Sequence, residues 1–293
     1  MVIAAVGPEP PPSGRELLAA ELRRLRELSG WSGRRLAERI GISQSKVSRI
    51  ESGSAIPSLP EVKRWGKALE VSVETQERLV SLAEAAFTEV HPYRAALQRR
   101  GHLQDYVHEG EQRADWVRTF QSEVVPGLLQ IPDYTRSVLA LGETEYSPED
   151  LAAAIGGRLH RQLDLYDPTR RFDFLITESA LRWRPGSVDL QVAQLDRLSN
   201  VATLENVSVG LVPLDRQATA QLSHSFVLRD HRDEEQEDSV VVELVHGLVT
   251  LVGAANREPY EARWAKLAGM ALHGDEARDF LAESIAHLRR SRA

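Results

Sequence analysis

The stretch Ser32–Gly53, SGRRLAERIGISQSKVSRIESG, constrains this chain more than any other. Leu36, Ala37 and Ile40 mark one face of a helix that stops at Gly41, the residue type best able to take a positive φ. Ser43 stands where a following helix needs an N-cap, and Val47 and Ile50 supply its inward face before Gly53 ends it. Ala37 is small where the two helices must approach, and Ile42, Val47 and Ile50 seal the little core between them. The other face of the second helix is left uncovered. It carries Gln44, Ser45, Lys46, Ser48 and Arg49.

The flanking residues extend this pair to five helices. Leu17, Leu18, Leu22, Leu25 and Leu28 recur at helical spacing before Gly30, and Ser32 caps the next helix. Pro60 sits in the first turn of a fourth helix with Val62, Trp65 and Leu69, and a fifth begins near Ser72 with Leu79, Leu82 and Ala83. Residues 14–86 are therefore expected to form an all-α domain, after a proline-rich flexible tail over 1–13. The chain carries a net charge of −7, yet residues 14–69 hold twelve Arg/Lys against six Glu, a local +6 that leaves −13 for the rest. Such asymmetry points the N-terminal part at an anion. Two short helices around a glycine turn form a helix-turn-helix arrangement, and the uncovered donors and acceptors have lengths that reach base edges and phosphates in a major groove.

The residues carry a closer likeness than this pattern. LRRLRELSGWS (22–32), RRLAERIGISQSKVSRIESG (34–53), the turn at Pro57 and LPEVKRWGKALEVS (59–72) resemble the lambda-repressor-like, xenobiotic-response-element family of DNA-binding domains. The resemblance implies sequence-specific binding of double-stranded operator DNA, with the helix over 43–52 in the major groove. By position it implies that Gln44, Ser45 and Arg49 face the bases and that Lys46 and Ser48 hold base edges or phosphate. It implies too that Ser43 caps the helix so that its N-terminal amides face a phosphate. The family usually places a glutamine on backbone phosphate at the first turn of the second helix. This chain has Gly33 there, and Arg34 and Arg35 are the expected substitutes.

Beyond Ala86 the pattern changes. His91-Pro92 breaks a helix and Arg99-Arg100-Gly101 reads as loop, so residues 87–109 are expected to be a linker. From 110 to 293 an α+β domain with a mostly antiparallel sheet is predicted. Helices are expected over 112–121, 132–139, 148–166, 188–202, 257–272 and 275–289. Strands rich in Val, Leu and Phe are expected over 172–177, 207–212, 225–229, 239–244 and 248–252, and the acidic run 232–238 is a hairpin loop. FQSEVVPGLLQIPDY (120–134), GRLHRQLDL (157–165), TESALRWRPGS (177–187) and NVSVGLVPL (206–214) resemble the uncharacterised domain that follows the helix-turn-helix in many actinobacterial regulators. That resemblance implies a transcriptional regulator, often antitoxin-like and frequently with a small companion protein.

Two groups of residues in this part are candidates for a ligand or partner site. Gln130 and Tyr134 either line a pocket or pack beneath a tight Val125–Leu129 turn. Glu178, with Arg182 and Arg184 downstream, either forms a small-molecule site at a strand end or caps a helix and makes salt bridges. Chemistry of other kinds is not expected. With no cysteine, the chain has no disulfides, cysteine-ligated zinc or cysteine nucleophile. It lacks the HExxH, Walker A, G-x-G-x-x-G and G-x-S-x-G motifs, and its nine histidines show no i, i+4 pairing. We expect no enzyme, no cofactor and no metal.

No apolar run approaches the roughly 18 residues of a membrane span, and the start lacks a basic leader segment, so a cytoplasmic, nucleoid-associated location is expected. The function expected is a DNA-binding transcriptional regulator whose C-terminal domain dimerises and senses a small-molecule effector or a protein. A homodimer follows because single modules of this kind bury little surface and pair on half-sites about 34 Å apart. The alternative is an antitoxin-like protein that sequesters a small companion protein and autoregulates its operon.

Overall fold

Five serines punctuate the N-terminal region. In the computed structural model, which describes residues 13–92, 114–142, 146–233, 236–245 and 247–291, helices α1 (Gly14–Leu28), α2 (Gly33–Ile40), α3 (Gln44–Glu51), α4 (Leu59–Ala68) and α5 (Val73–Ala86) begin after Ser13, Ser32, Ser43, Ser58 and Ser72. Each serine hydroxyl accepts the amide three residues on, satisfying a donor that the helix leaves unpaired. Gly41 ends α2 at φ 75°, in the left-handed region where a side chain is disfavoured. Leu18, Leu22, Leu36, Val47, Ile50, Val62, Trp65 and Leu79 are each no more than 1% exposed and form one core. All five helices expected from the sequence are present. The expected tail over 1–12 and residues 93–109 of the expected linker lie outside the described residues.

This helical unit contains one segment from far along the chain. The chain divides into Met1–Val90 with Val249–Val252, and His91–Leu248 with Gly253–Ala293. Strand β1 (Thr88–Pro92), inside the stretch read as linker, lies beside β7 (Gly247–Val252). Val252 N–H donates to Phe87 O at 3.1 Å, and its buried side chain joins the helical core.

The C-terminal unit is an α+β domain with a mixed sheet. Strands β2 (Trp116–Gln121), β3 (Arg171–Thr177), β4 (Val207–Val212), β5 (Phe226–Asp230) and β6 (Ser239–Leu244) lie in the order β6-β5-β2-β3-β4. Helices α6 (Pro132–Ala140) and α7 (Pro148–Arg161) connect β2 to β3, and α8 (Glu178–Arg182) and α9 (Val188–Val201) connect β3 to β4. These crossovers make β2, β3 and β4 parallel, whereas β5 runs antiparallel to both β2 and β6. Helices α10 (Ala254–Met270) and α11 (Gly274–Arg290) follow β7. One sheet face presents Val117, Phe172, Phe174, Val209 and Leu211 to a core shared with Tyr134, Leu195, Leu198 and Leu281. On the other face Phe226 stacks edge-on against Tyr260 of α10, ring centroids 5.1 Å apart.

Besides β1 and the short α8, which the sequence does not lead us to expect, one expected element changes type. The helix predicted over 112–121 is the strand Trp116–Gln121. Val117 through Phe120 are all buried, so the strand shows no apolar–polar alternation. The strand's one charged residue is Arg118. That guanidinium is buried and paired inside the protein, with Asp230 at 2.9 Å and Glu261 at 2.6 Å.

Candidate nucleic-acid interface

Helix α3 is pinned by Val47 and Ile50, each 1% exposed, so its remaining residues are forced outward. Gln44, Ser45 and Ser48 are exposed, and Lys46 and Arg49 are half-buried. The Ser43 hydroxyl accepts the Lys46 amide at 3.1 Å, which fixes the first turn of α3. On α2, Arg34 and Arg35 are both exposed. Arg35 lies over the Trp31 ring, 4.3 Å from its centroid, so its guanidinium is held in place by a cation–π contact. The arrangement presents a short row of amide, hydroxyl and guanidinium groups on a rigid helix pair, which suits hydrogen bonding to base edges and phosphates.

Lys46 is placed differently from its neighbours. Its ammonium donates to Glu61 Oε1 at 2.7 Å, across to α4. Glu61 is buried, and its second oxygen accepts the Ser58 amide at 2.9 Å, closing a capping box at the start of α4. Burial alone would raise this carboxyl, but the hydrogen bonds from Lys46 and Ser58 outweigh it and hold the group below its usual 4.5. Two arginines perform similar bracing. Arg26 binds Glu51 at the end of α3 and donates to Trp31 O at 2.9 Å, and Arg64 donates to Ile40 O at 3.0 Å at the end of α2. The sequence reading missed these supports. Ser58-x-x-Glu61 is a capping-box pattern visible in the sequence, but the Lys46 and Arg26 partners have no local signature.

The C-terminal candidates fall in two separate places. Gln130 is buried and fully engaged: its Nε2 donates to Val125 O at 2.7 Å, and its Oε1 accepts Thr135 Oγ1 at 3.1 Å and Arg158 Nη1 at 2.8 Å. Gln162 and Gln194 add bonds to the backbone of Gln130 and Leu129, so glutamines cross-brace the Val125–Ile131 turn. Tyr134 is completely buried beside it, and burial pushes its hydroxyl up to about 12. Glu178 and Arg182 lie on α8. Glu178 accepts Arg182 Nε at 2.6 Å and the Leu214 amide at 2.9 Å. Among the described residues, Gln130 and Glu178 share no hydrogen-bond partner. Arg182 and Arg184, from the second group of candidates, border a cleft of about 500 Å³ between α8 and α11, whereas Gln130, Tyr134 and Glu178 do not line it.

A serine-capped α2, a left-handed glycine and an α3 with a polar outer face make the N-terminal unit a helix-turn-helix, DNA-binding domain. The family model described as a helix-turn-helix domain matches residues 17–79. Residues 104–283 match the domain of unknown function DUF5753, and the chain belongs to that family. The order of the two domains is that of a xenobiotic-response-element-type regulator followed by an uncharacterised domain, as the sequence resemblance implied. No curated protein matches the chain. Among the described residues, no helix is long and apolar enough to cross a membrane.

Proposed function

We propose that this protein is a cytoplasmic, nucleoid-associated transcriptional regulator that binds a specific operator as a homodimer. The observation that carries this reading is the outer face of α3, where Gln44, Ser45 and Ser48 stand exposed on a helix whose other side is locked in the core. Arg34 and Arg35 flank it and serve as phosphate contacts in place of the family's glutamine. The α+β domain supplies the dimer and senses an effector, and no catalysis is assigned to it. Selection of duplexes from a random-sequence pool tests the reading. Gln44→Ala and Arg49→Ala should each weaken the selected site by about 1–3 kcal/mol and relax preference at one base position. Recovery of the same motif at the same affinity by both variants would refute the assigned reading face.

A second reading rests on charge. The −13 outside residues 14–69 favours a basic companion protein, as in an antitoxin. Full-length chain used as bait at low and high salt separates the two, because sequestration requires a stoichiometric partner that a ligand sensor does not.

A further inference from the structure

The cleft between α8 and α11 has a construction suited to one class of ligand. Its floor is apolar: Leu181 and Leu195 are buried, with Phe280 and Leu288 beside them. Its rim is basic, formed by Arg182, Arg184 and Arg290 with His287. Arg182 is neutralised by Glu178, and the Ser284 hydroxyl is turned to Phe280 O at 2.8 Å. Arg184 and Arg290 are exposed and make no ion pair among the described residues. The rim's single carboxylate is Glu283. Helix α11 ends here, and its last carbonyls contribute about half a negative charge. Two guanidinium charges exceed these two opposing contributions. A volume of about 500 Å³ lies within the range of small-molecule sites.

We propose that this cleft binds a small carboxylic acid with an aliphatic or aromatic body, its carboxylate on Arg184 and Arg290 and its body on the leucine–phenylalanine floor. A guanidinium fork matches a planar carboxylate through two parallel hydrogen bonds, which an ammonium or hydroxyl head cannot reproduce. The same acid is the effector of the α+β domain, a clause that rests on the regulator reading above. Arg184 follows α8 by two residues and Arg290 ends α11, 106 positions further on, so only the fold pairs them.

Calorimetric titration of the full chain with octanoate, octan-1-ol and octylamine tests the cleft. Octanoate should bind saturably at one site, at least tenfold more tightly than octan-1-ol, and octylamine should not bind. The double variant Arg184→Gln/Arg290→Gln should lose at least tenfold in octanoate affinity without a change in the melting temperature of the free protein. No saturable octanoate binding, equal binding of octan-1-ol, or unchanged affinity in the variant would each overturn the proposal. The selected duplex, titrated with and without octanoate, reports separately. A change in DNA affinity supports the effector clause, and octanoate binding with no such change overturns that clause alone. Failure to select any duplex would overturn the regulator reading while leaving the cleft standing.

Discussion

Lys46 Nζ and Glu61 Oε1 are 2.7 Å apart, so the single lysine of α3 is bound to α4. The position matches the family's reading helix, but the side chain is engaged in holding that helix against its neighbour. Arg34 is exposed on α2 and has no such engagement among the described residues.

Lys46→Ala should therefore lower the melting temperature of the protein while leaving the salt dependence of DNA binding nearly unchanged. Arg34→Ala should do the reverse and reduce the slope of log K against log salt by about one, the loss of one phosphate contact. Binding measured across a salt series decides this. A slope reduced by Lys46→Ala as much as by Arg34→Ala would return the lysine to the phosphate backbone.

Gly33→Gln should bind DNA no more tightly than the natural chain, because Arg34 and Arg35 already serve the phosphate that the family's glutamine takes. A Cβ at Gly33 meets only Val47 Cγ1, at 3.6 Å, which is ordinary van der Waals contact. The larger residue also removes a glycine from the first turn of α2, worth roughly 0.5–1 kcal/mol of stability. A chemical denaturation curve and a duplex titration on the same sample measure both effects. Tighter DNA binding by the variant would show that Arg34 and Arg35 leave that phosphate free.

The helix-turn-helix was legible because everything that defines it is local. Ser32, Ser43 and Ser58 cap within three residues, and Gly41 and Gly53 stand one and two residues past the ends of α2 and α3. The strands of the C-terminal domain were mostly legible for the same reason, as runs of Val, Leu and Phe. What escaped depends on partners far away in sequence. The strand Trp116–Gln121 reads as helix in the sequence, and the carboxylates of Asp230 and Glu261, which pair its buried Arg118, lie more than a hundred positions downstream. Gln130 and Glu178 are each open in the sequence to a ligand-site or a bracing reading, and their bonds are non-local: one braces a turn and the other ties Leu214 to α8.

The network around Arg118 should make stability depend on acid. The hydrogen bond from Arg118 outweighs the effect of burial and holds the Glu261 carboxyl below its usual 4.5, and Arg257 adds to this. A carboxyl depressed in the folded state stabilises it fully above its ordinary value, and that contribution is lost as pH falls through the depressed one. Glu261→Gln keeps an acceptor oxygen but removes the charge. The gap in melting temperature between natural chain and variant should be constant near neutrality and should narrow below about pH 4.5. A gap that widens on acidification would mean that Glu261 is not the group being titrated.

Val252→Ala should destabilise the helical unit by about 1–2 kcal/mol, as the loss of buried methyl groups from a packed core. Hydrogen exchange of α1 and α5 amides in the full chain would show faster opening. Unchanged protection there would place Val252 outside the cooperative unit.

The return of Val249–Val252 to the helical core also sets an order of events during synthesis. Phe87 leaves the ribosome long before its partner Val252 has been translated, a delay of roughly 10–30 s at typical elongation rates. Throughout that interval the nascent DNA-binding unit lacks one residue of its core. Chains released early by a premature stop codon would carry all five helices with that gap left open, and such truncated products are the natural substrates of cellular proteases.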